Sequence, residues 1–207
     1  MPSPWVEIPL AEYEEHMKAA AVAQLEPLAG LFAEVLRLKQ PTSVAVLGIA
    51  GGNGLDCIDT HTVTRVVGVD INPSYLDAVR KRYPQLHGIE LHCADLAAEA
   101  LVIQPVQLVH AALLFEHAGT ARCLDNALSL VAPGGSCSIV LQLPGQPGQD
   151  VGRTGIASIQ KLACDFTLID PGAMRQSLEE RGFQLAHEQR IALPAGKGLW
   201  MGIFARA

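Results

Sequence analysis

In the stretch "VAVLGIAGGNGLD", Val44 to Asp56, an apolar run opens into a glycine cluster, and a second apolar run, "VVGVD" at Val66 to Asp70, ends on a carboxylate. Gly51, Gly52 and Gly54 stand where a side chain would obstruct either a tight turn or an approaching ligand. Asp70 can accept both hydroxyl hydrogens of a ribose. Together these residues outline a nucleotide- or nucleoside-binding crevice. A second set, Glu116 and His117 with Tyr13 and His16, offers proton chemistry. A neutral His117 can take a proton from a hydroxyl or amine, and Glu116 can orient it or bind a cationic substrate. Each has an ordinary alternative: a glycine that only makes a turn, a helix cap at Asp70, surface-loop residues at Glu116 and His117.

For these groups to converge, the chain must alternate strand and helix, and it reads that way through residue 141. One or two helices are expected over Leu10–Arg37, with Pro27 as the break; Tyr13, His16 and Met17 then share a face. Strand one is Ser43–Leu47, and a helix over Gly54–Asp59 presents its first free N–H groups to the crevice. Strand two is Arg65–Asp70, followed by a helix over Pro73–Arg82 with Asn72 as N-cap and Pro73 in its first turn. Strand three is Ile89–Cys93 and strand four Val106–Leu113. A helix from Cys123 is stopped by Pro133-Gly134-Gly135 before strand five, Ser136–Leu141. Pro144–Thr154 reads as a loop, Pro171–Arg181 as a helix ended by Gly182, and Phe183–Ile191 with Gly198–Ala205 as a terminal hairpin. The expected fold is α/β: a Rossmann-like, doubly wound, seven-stranded sheet with an antiparallel C-terminal strand.

Composition narrows the functions. With 207 residues, 49% apolar and 17% charged, the chain supports one substantial core. A net charge of -6 and a pI of about 5.6 give no general attraction for nucleic acid or an acidic membrane. The basic run Arg80-Lys81-Arg82 is short and reads as a solvated helix face. The five cysteines show no C-x-x-C pair, so neither a disulfide framework nor a metal module is implied. The N-terminus lacks the pattern of a signal peptide and no run of about 18 apolar residues occurs. A soluble, cytoplasmic protein without nucleic-acid or membrane partners is expected, as a monomer or a homodimer.

Dinucleotide dehydrogenases place G-x-G-x-x-G after strand one; here the frame from Gly52 reads "GNGLDC", with Cys57 where the third glycine belongs. From about residue 40 onward the chain instead resembles the class I S-adenosylmethionine-dependent methyltransferases. In that family strand one ends acid-x-G-x-G-x-G. Aligned here, the acid is replaced by Gly48 and the first glycine by Ala50, while Gly52 and Gly54 are kept. Asp70 falls at the family's ribose-binding acid, and "INPSYLDAVRKRY" resembles the helix beyond it. "CADL", Cys93 to Leu96, resembles the adenine-side loop, "VQLVHAALLFEH" strand four and its following loop, and "VAPGG" the turn before strand five.

The resemblance implies a cofactor site of Gly48, Ala50, Gly51, Gly52, Gly54, Asp70, Ile71, Ala94, Asp95, Leu96, Ala111 and Ala112. Ile71 would pack on the adenine, Asp95 would accept from its exocyclic nitrogen, and Ala111 and Ala112 would line the methionine part. Residues 1–40 would form a helical lid over a 41–207 catalytic domain, with Tyr13 and Met17 reaching the cofactor, and backbone carbonyls or this segment would supply the hold on the methionine amino group that the acid missing at Gly48 does not. His117 and Glu116 would be the catalytic candidates. The Asn/Asp-Pro-Pro-aromatic loop of DNA-methylating members is absent; the equivalent segment reads "AALLFEH". The expected function is S-adenosylmethionine-dependent methyl transfer to a small molecule by direct displacement. Two alternatives stay open: a non-catalytic S-adenosylmethionine-binding or partner-binding protein, and an NAD(P)-dependent oxidoreductase.

Overall fold

The computed structural model describes residues 3–145, 152, 154–164, 166–193 and 196–206. Seven strands form one sheet: β1 (Ser43–Leu47), β2 (Arg65–Asp70), β3 (Glu90–Cys93), β4 (Val106–Ala112), β5 (Val131–Leu143), β6 (Phe183–Ala192) and β7 (Gly198–Arg206), in the order β3-β2-β1-β4-β5-β7-β6. The first five run parallel, and β7 lies antiparallel between β5 and β6. The central strands are apolar runs rich in valine because helices cover both of their faces. Side chains alternate accordingly. Val44, Val66, Leu108 and Val140 join one hydrophobic cluster, and Ala45, Val67, Val109 and Ile139 join the other.

The first cluster is closed by α2 (Leu25–Lys39) through Leu28, Leu31, Phe32 and Val35, and by α3 (Pro73–Arg82) through Leu76 and Val79. The second is closed by α4 (Ala121–Ser129) and α5 (Pro171–Glu179), through Cys123, Leu124, Met174 and Leu178. The register decides what emerges at the sheet's carboxyl edge. Leu47 pairs with both Val69 and Ala111, so Gly48, Asp70 and Ala112 leave the sheet side by side. Among the described residues, no helix is long and apolar enough to cross a membrane.

Three local expectations change. The break in the N-terminal segment lies between α1 (Leu10–Lys18) and α2, where Ala23 is left-handed (φ 47°) and the Gln24 N–H returns to the Met17 carbonyl. Pro27 sits in the first turn of α2, where its missing N–H costs no hydrogen bond. The helix expected over Gly54–Asp59 is only a 3-10 turn, Leu55–Cys57. Gly54 is left-handed (φ 87°) before it, and the Asp59 carboxylate binds the His61 N–H and the Thr62 hydroxyl just beyond, which closes a turn instead of propagating a helix. The glycine turn therefore leads into no α-helix N-terminus. Finally, β5 starts at Val131, not Ser136: Pro133, Gly134 and Gly135 form an irregularity within the strand, between the Val106–Val131 and Leu108–Ser136 pairs. Most of the Pro144–Thr154 loop and part of the link between the last two strands lie outside the described residues.

Candidate active site

Beyond β1 the chain makes repeated left-handed turns at Gly48 (φ 66°), Ala50 (46°), Gly52 (85°) and Gly54 (87°). The coiling brings the Ala50 N–H to Oδ2 of Asp70 at 2.8 Å, while the Asn72 N–H meets Oδ1 at 2.9 Å. Asp70 is 7% exposed. Burial pushes its pKa above the ordinary carboxylate value, and the backbone N–H groups of Asn72, Ala50 and Ile71 oppose that shift. Each oxygen keeps a lone pair for a further donor.

In front of Asp70 lies a cavity of about 170 Å³. Its floor is Gly48, Ala50, Asp70, Ile71 and Ala112, and one end is Ala94, Asp95 and Leu96. Asp95 accepts the Ala97 N–H at 2.9 Å, a local turn bond that leaves its other oxygen for the cavity. The roof comes from the N-terminal segment, with Ser3, Trp5 and Tyr13, and from Tyr75 on α3. The turn after β4 supplies Leu113, Leu114 and His117.

The N-terminal segment is fixed at several points. Asn72 caps α3 by accepting the Ser74 N–H, and its Nδ2 donates to the Trp5 carbonyl at 2.9 Å. Arg82 pairs with Glu14 directly over Gly51, where an added Cβ would collide with both side chains. Glu12 accepts from the Ser158 hydroxyl. Tyr13 meets Trp5 edge-on at 5.5 Å and stacks on Tyr75 at 6.3 Å.

Two smaller cavities of about 60 Å³ adjoin the first. One continues past Gly48 and Ala50 and is lined by Glu14, Met17, Gly51 and Asn53, with Glu14 its sole carboxylate among the described residues. The other shares Trp5, Tyr13, Leu113 and His117 with the main cavity and ends among His16, Gln24, Gln142 and Lys197. Thus His117 stands between two chambers. Its ring meets Trp5 edge-on at 4.9 Å and Phe166 at 5.2 Å, and its buried Nδ1 has no hydrogen-bond partner among the described residues. Burial lowers its pKa to about 4, so the imidazole is neutral at physiological pH. Leu113 beside it is left-handed (φ 53°), held by its N–H on the Val140 carbonyl at 2.9 Å. Such strain in a bulky residue is tolerated at sites where the surrounding structure fixes the chain.

The residues expected from sequence divide sharply. Tyr13, Gly48, Ala50, Asp70, Ile71, Ala94, Asp95, Leu96, Ala112 and His117 all line the main cavity. Gly51 and Met17 line only the adjoining ones. Gly52 and Gly54 line none of the three: a Cβ would strike Tyr83 at Gly52, and Phe32 and Ala29 of α2 at Gly54, so their smallness serves packing. Ala111 is fully buried within the sheet. Glu116 is also interior, 1% exposed, with Oε1 accepting the Gln142 N–H at 2.7 Å, so it is not brought to the reacting space. His16 bonds Thr154 at 2.9 Å and lines the second chamber; His110 packs on Phe32 in the core. An acid at Gly48 would be strained by the positive φ and would meet Leu114 at 3.2 Å, which accounts for glycine at that position.

Trp5, Tyr75, Leu113 and Leu114 went unforeseen. The spacing of Tyr75, Leu76 and Val79 marks a buried face of α3, but no local pattern distinguishes a core tyrosine from one at a cavity wall.

Residues 46–135 match the family described as a methyltransferase domain. No curated protein matches the chain by sequence. Among solved structures, the magnesium protoporphyrin IX methyltransferase of Synechocystis PCC 6803, with bound S-adenosylhomocysteine, is similar at a TM-score of 0.67 and 12% identity, over 91% of this chain and 85% of that one. An S-adenosylmethionine-dependent methyltransferase from Mesorhizobium loti is similar at 0.65 and 19%, over 84% and 96%. The N-methyltransferase of Bradyrhizobium japonicum WM9, with the same product bound, is similar at 0.63 and 12%, over 84% of each.

Proposed function

We propose that this chain is a class I S-adenosylmethionine-dependent methyltransferase and that it methylates a small molecule held in the chamber behind His117. The observation that carries the reading is the shared wall of Trp5, Tyr13, Leu113 and His117, which joins the cavity in front of Asp70 to a second one. A protein or nucleic-acid acceptor would have to pass the N-terminal segment that roofs both.

The cavity suits the cofactor. Asp70 accepts the ribose hydroxyls, Ile71 and Leu96 flank the adenine, and the free oxygen of Asp95 accepts from its amino group. The amino-acid end enters the chamber past Ala50, where Glu14 of α1 takes the place of the acid absent at Gly48. Residues 3–18 act as the lid, fastened by the bonds of Asn72 and Arg82.

When bound, S-adenosylmethionine supplies an electrophilic methyl group: the carbon–sulfur bond breaks as the acceptor's nucleophilic atom bonds the methyl carbon, leaving a neutral thioether. The protein's part is alignment and exclusion of water, since the displacement needs no covalent intermediate. Neutral His117 takes the proton that a hydroxyl or amine acceptor loses. Gln24, whose Nε2 donates to the Gln142 Oε1 at 2.8 Å, holds the polar end of the chamber in place. The exposed thiols of Cys57 and Cys93 suit a reducing cytoplasm.

The test is calorimetric titration with S-adenosylhomocysteine and NADH, followed by assay of product release with small phenols, amines and acids against peptides and duplex DNA. Saturable S-adenosylhomocysteine binding and turnover of a small acceptor are expected. Binding of NADH alone would overturn the cofactor assignment; turnover only on peptide or DNA would overturn the acceptor class.

A further inference from the structure

Tyr75 is 1% exposed, lines the main cavity from α3, and buries its hydroxyl oxygen without a hydrogen-bond partner among the described residues. A buried hydroxyl left unpaired destabilises the fold, so phenylalanine would serve better if packing alone were required. The ring is not free to seek another partner. Tyr13 stacks on it at 6.3 Å, and the helix that carries it is pinned at Asn72 by the cap and by the bond to Trp5. The neighbouring carboxylate does not satisfy it either: Asp70 accepts from backbone N–H groups, among them those of Ala50 and Asn72, and not from the Tyr75 hydroxyl.

Burial first, then the charge of Asp70, push the Tyr75 phenol well above its ordinary pKa, so it remains a proton donor across the physiological range. A ribose hydroxyl both donates and accepts. The carboxylate of Asp70 can engage only the donor side; the phenol of a residue that lines the same cavity can supply the complementary proton.

We propose that Tyr75 is a second ribose ligand, its hydroxyl donating to the 2′- or 3′-oxygen of the nucleoside whose hydroxyl hydrogens Asp70 accepts. The assignment rests on the nucleoside reading of the main cavity. The unpaired hydroxyl in the ligand-free protein is then a preformed donor, satisfied only when the ribose arrives.

Tyr75→Phe separates this role from a packing role because the two predict opposite signs. S-adenosylhomocysteine and 5′-methylthioadenosine, which share the ribose but not the amino-acid end, are titrated calorimetrically into both proteins, and each ligand-free protein is melted. Both ligands are expected to bind about fivefold more weakly to the variant, the size of one neutral hydrogen bond, while the ligand-free melting temperature holds or rises by about 1–3 °C. Equal affinities in the two proteins would overturn the inference, and so would a loss confined to S-adenosylhomocysteine, which would move Tyr75 to the amino-acid end. A ligand-free variant that melts several degrees lower would reveal a structural role and overturn it as well. Failure of the wild-type protein to bind either nucleoside would instead bring down the cavity reading on which the assignment stands.

Discussion

Asp70 at the end of β2 and Glu116 in the turn beyond β4 are both buried carboxyl groups, 7% and 1% exposed, but they sit in opposite surroundings. Asp70 accepts from the Ala50 and Asn72 N–H groups, one on each oxygen, and faces the cavity. Glu116 accepts on one oxygen from Gln142 of β5, while its Oε2 has no partner among the described residues. Burial raises its pKa to about 7, and the Gln142 bond offsets this only in part. Its carbonyl meanwhile accepts the Thr167 N–H at 2.9 Å. The contrast teaches that burial alone does not make a functional acid. Asp70 is held by backbone donors where a ligand can still reach it, whereas Glu116 ties the β4 turn to β5 and to the chain beyond residue 165.

The sharpest way to break this contrast is to ask whether the working proton acceptor at the β4 end is His117. His117→Asn is expected to lower turnover on a hydroxyl or amine acceptor by about 100-fold or more while leaving S-adenosylhomocysteine affinity within a factor of about two. Because the pKa of His117 is about 4, wild-type turnover should be flat near neutrality and decline only as the pH falls toward that value, where the imidazole gains a proton. Calorimetry and a pH–rate profile measure the two parts. An unchanged turnover would leave His117 as a wall residue.

At the β2 end, the ribose assignment of Asp70 predicts that Asp70→Ala removes two charge-assisted hydrogen bonds, each contributing about 1.5–3 kcal/mol, so that donor affinity falls by about 100-fold or more. Asp70→Asn keeps an acceptor for only one of the two backbone N–H groups, since its amide nitrogen cannot accept the other, and should retain more of the fold's stability than alanine at the same site. If both variants bound the donor as tightly as the wild type, the ribose would have to lie elsewhere.

Glu116→Gln should act on stability alone, and its sign depends on pH. The folded group binds its proton more tightly than the unfolded one, so its contribution is fully present below the ordinary carboxylate pKa of 4.5 and is lost as the pH rises through about 7. Glutamine keeps an acceptor for Gln142 without the buried charge. The variant should therefore match the wild type near pH 4 and exceed it by about 3 kcal/mol at pH 8, taking about 1.4 kcal/mol per pKa unit. Thermal melts at the two pH values test this, with turnover expected to be unchanged. A variant less stable at pH 8 would mean that the charged form has a partner the contrast denies it.

The two ends also differed in how far their roles could be read from the chain. Asp70, Asn72 and Pro73 are contiguous, and each acts through the residues next to it: a strand end, a cap and a first helical turn. Their signal is local. The β4 end is organised by long-range contacts, with Glu116 bonded to Gln142, His117 between Trp5 and Phe166, and Leu113 on Val140. No spacing rule brings Trp5 or Tyr75 to the cavity, and none reveals that the Glu116 side chain turns inward. Likewise the doubly wound sheet with its antiparallel last strand followed from alternation and the terminal hairpin, while the helix after the glycines did not form because Asp59 closes the chain locally.

Ala50 offers the finest probe of the β2 end. It is a non-glycine residue at φ 46°, and its N–H must point at Asp70 for the carboxylate to be held. A left-handed alanine costs about 1–2 kcal/mol, and glycine would remove that cost while adding about 0.4–1 kcal/mol of unfolded-state entropy. Ala50→Gly should thus stabilise the protein by about 0.5 kcal/mol, or about 1–2 °C in melting temperature. Donor affinity reports separately, because the strained alanine also limits how far the loop can move from Asp70. If glycine leaves the affinity unchanged, the backbone bonds to Asp70 fix the site by themselves. An affinity lowered by several-fold despite the higher melting temperature would show that the alanine, by restricting the turn, presets the carboxylate for the ribose.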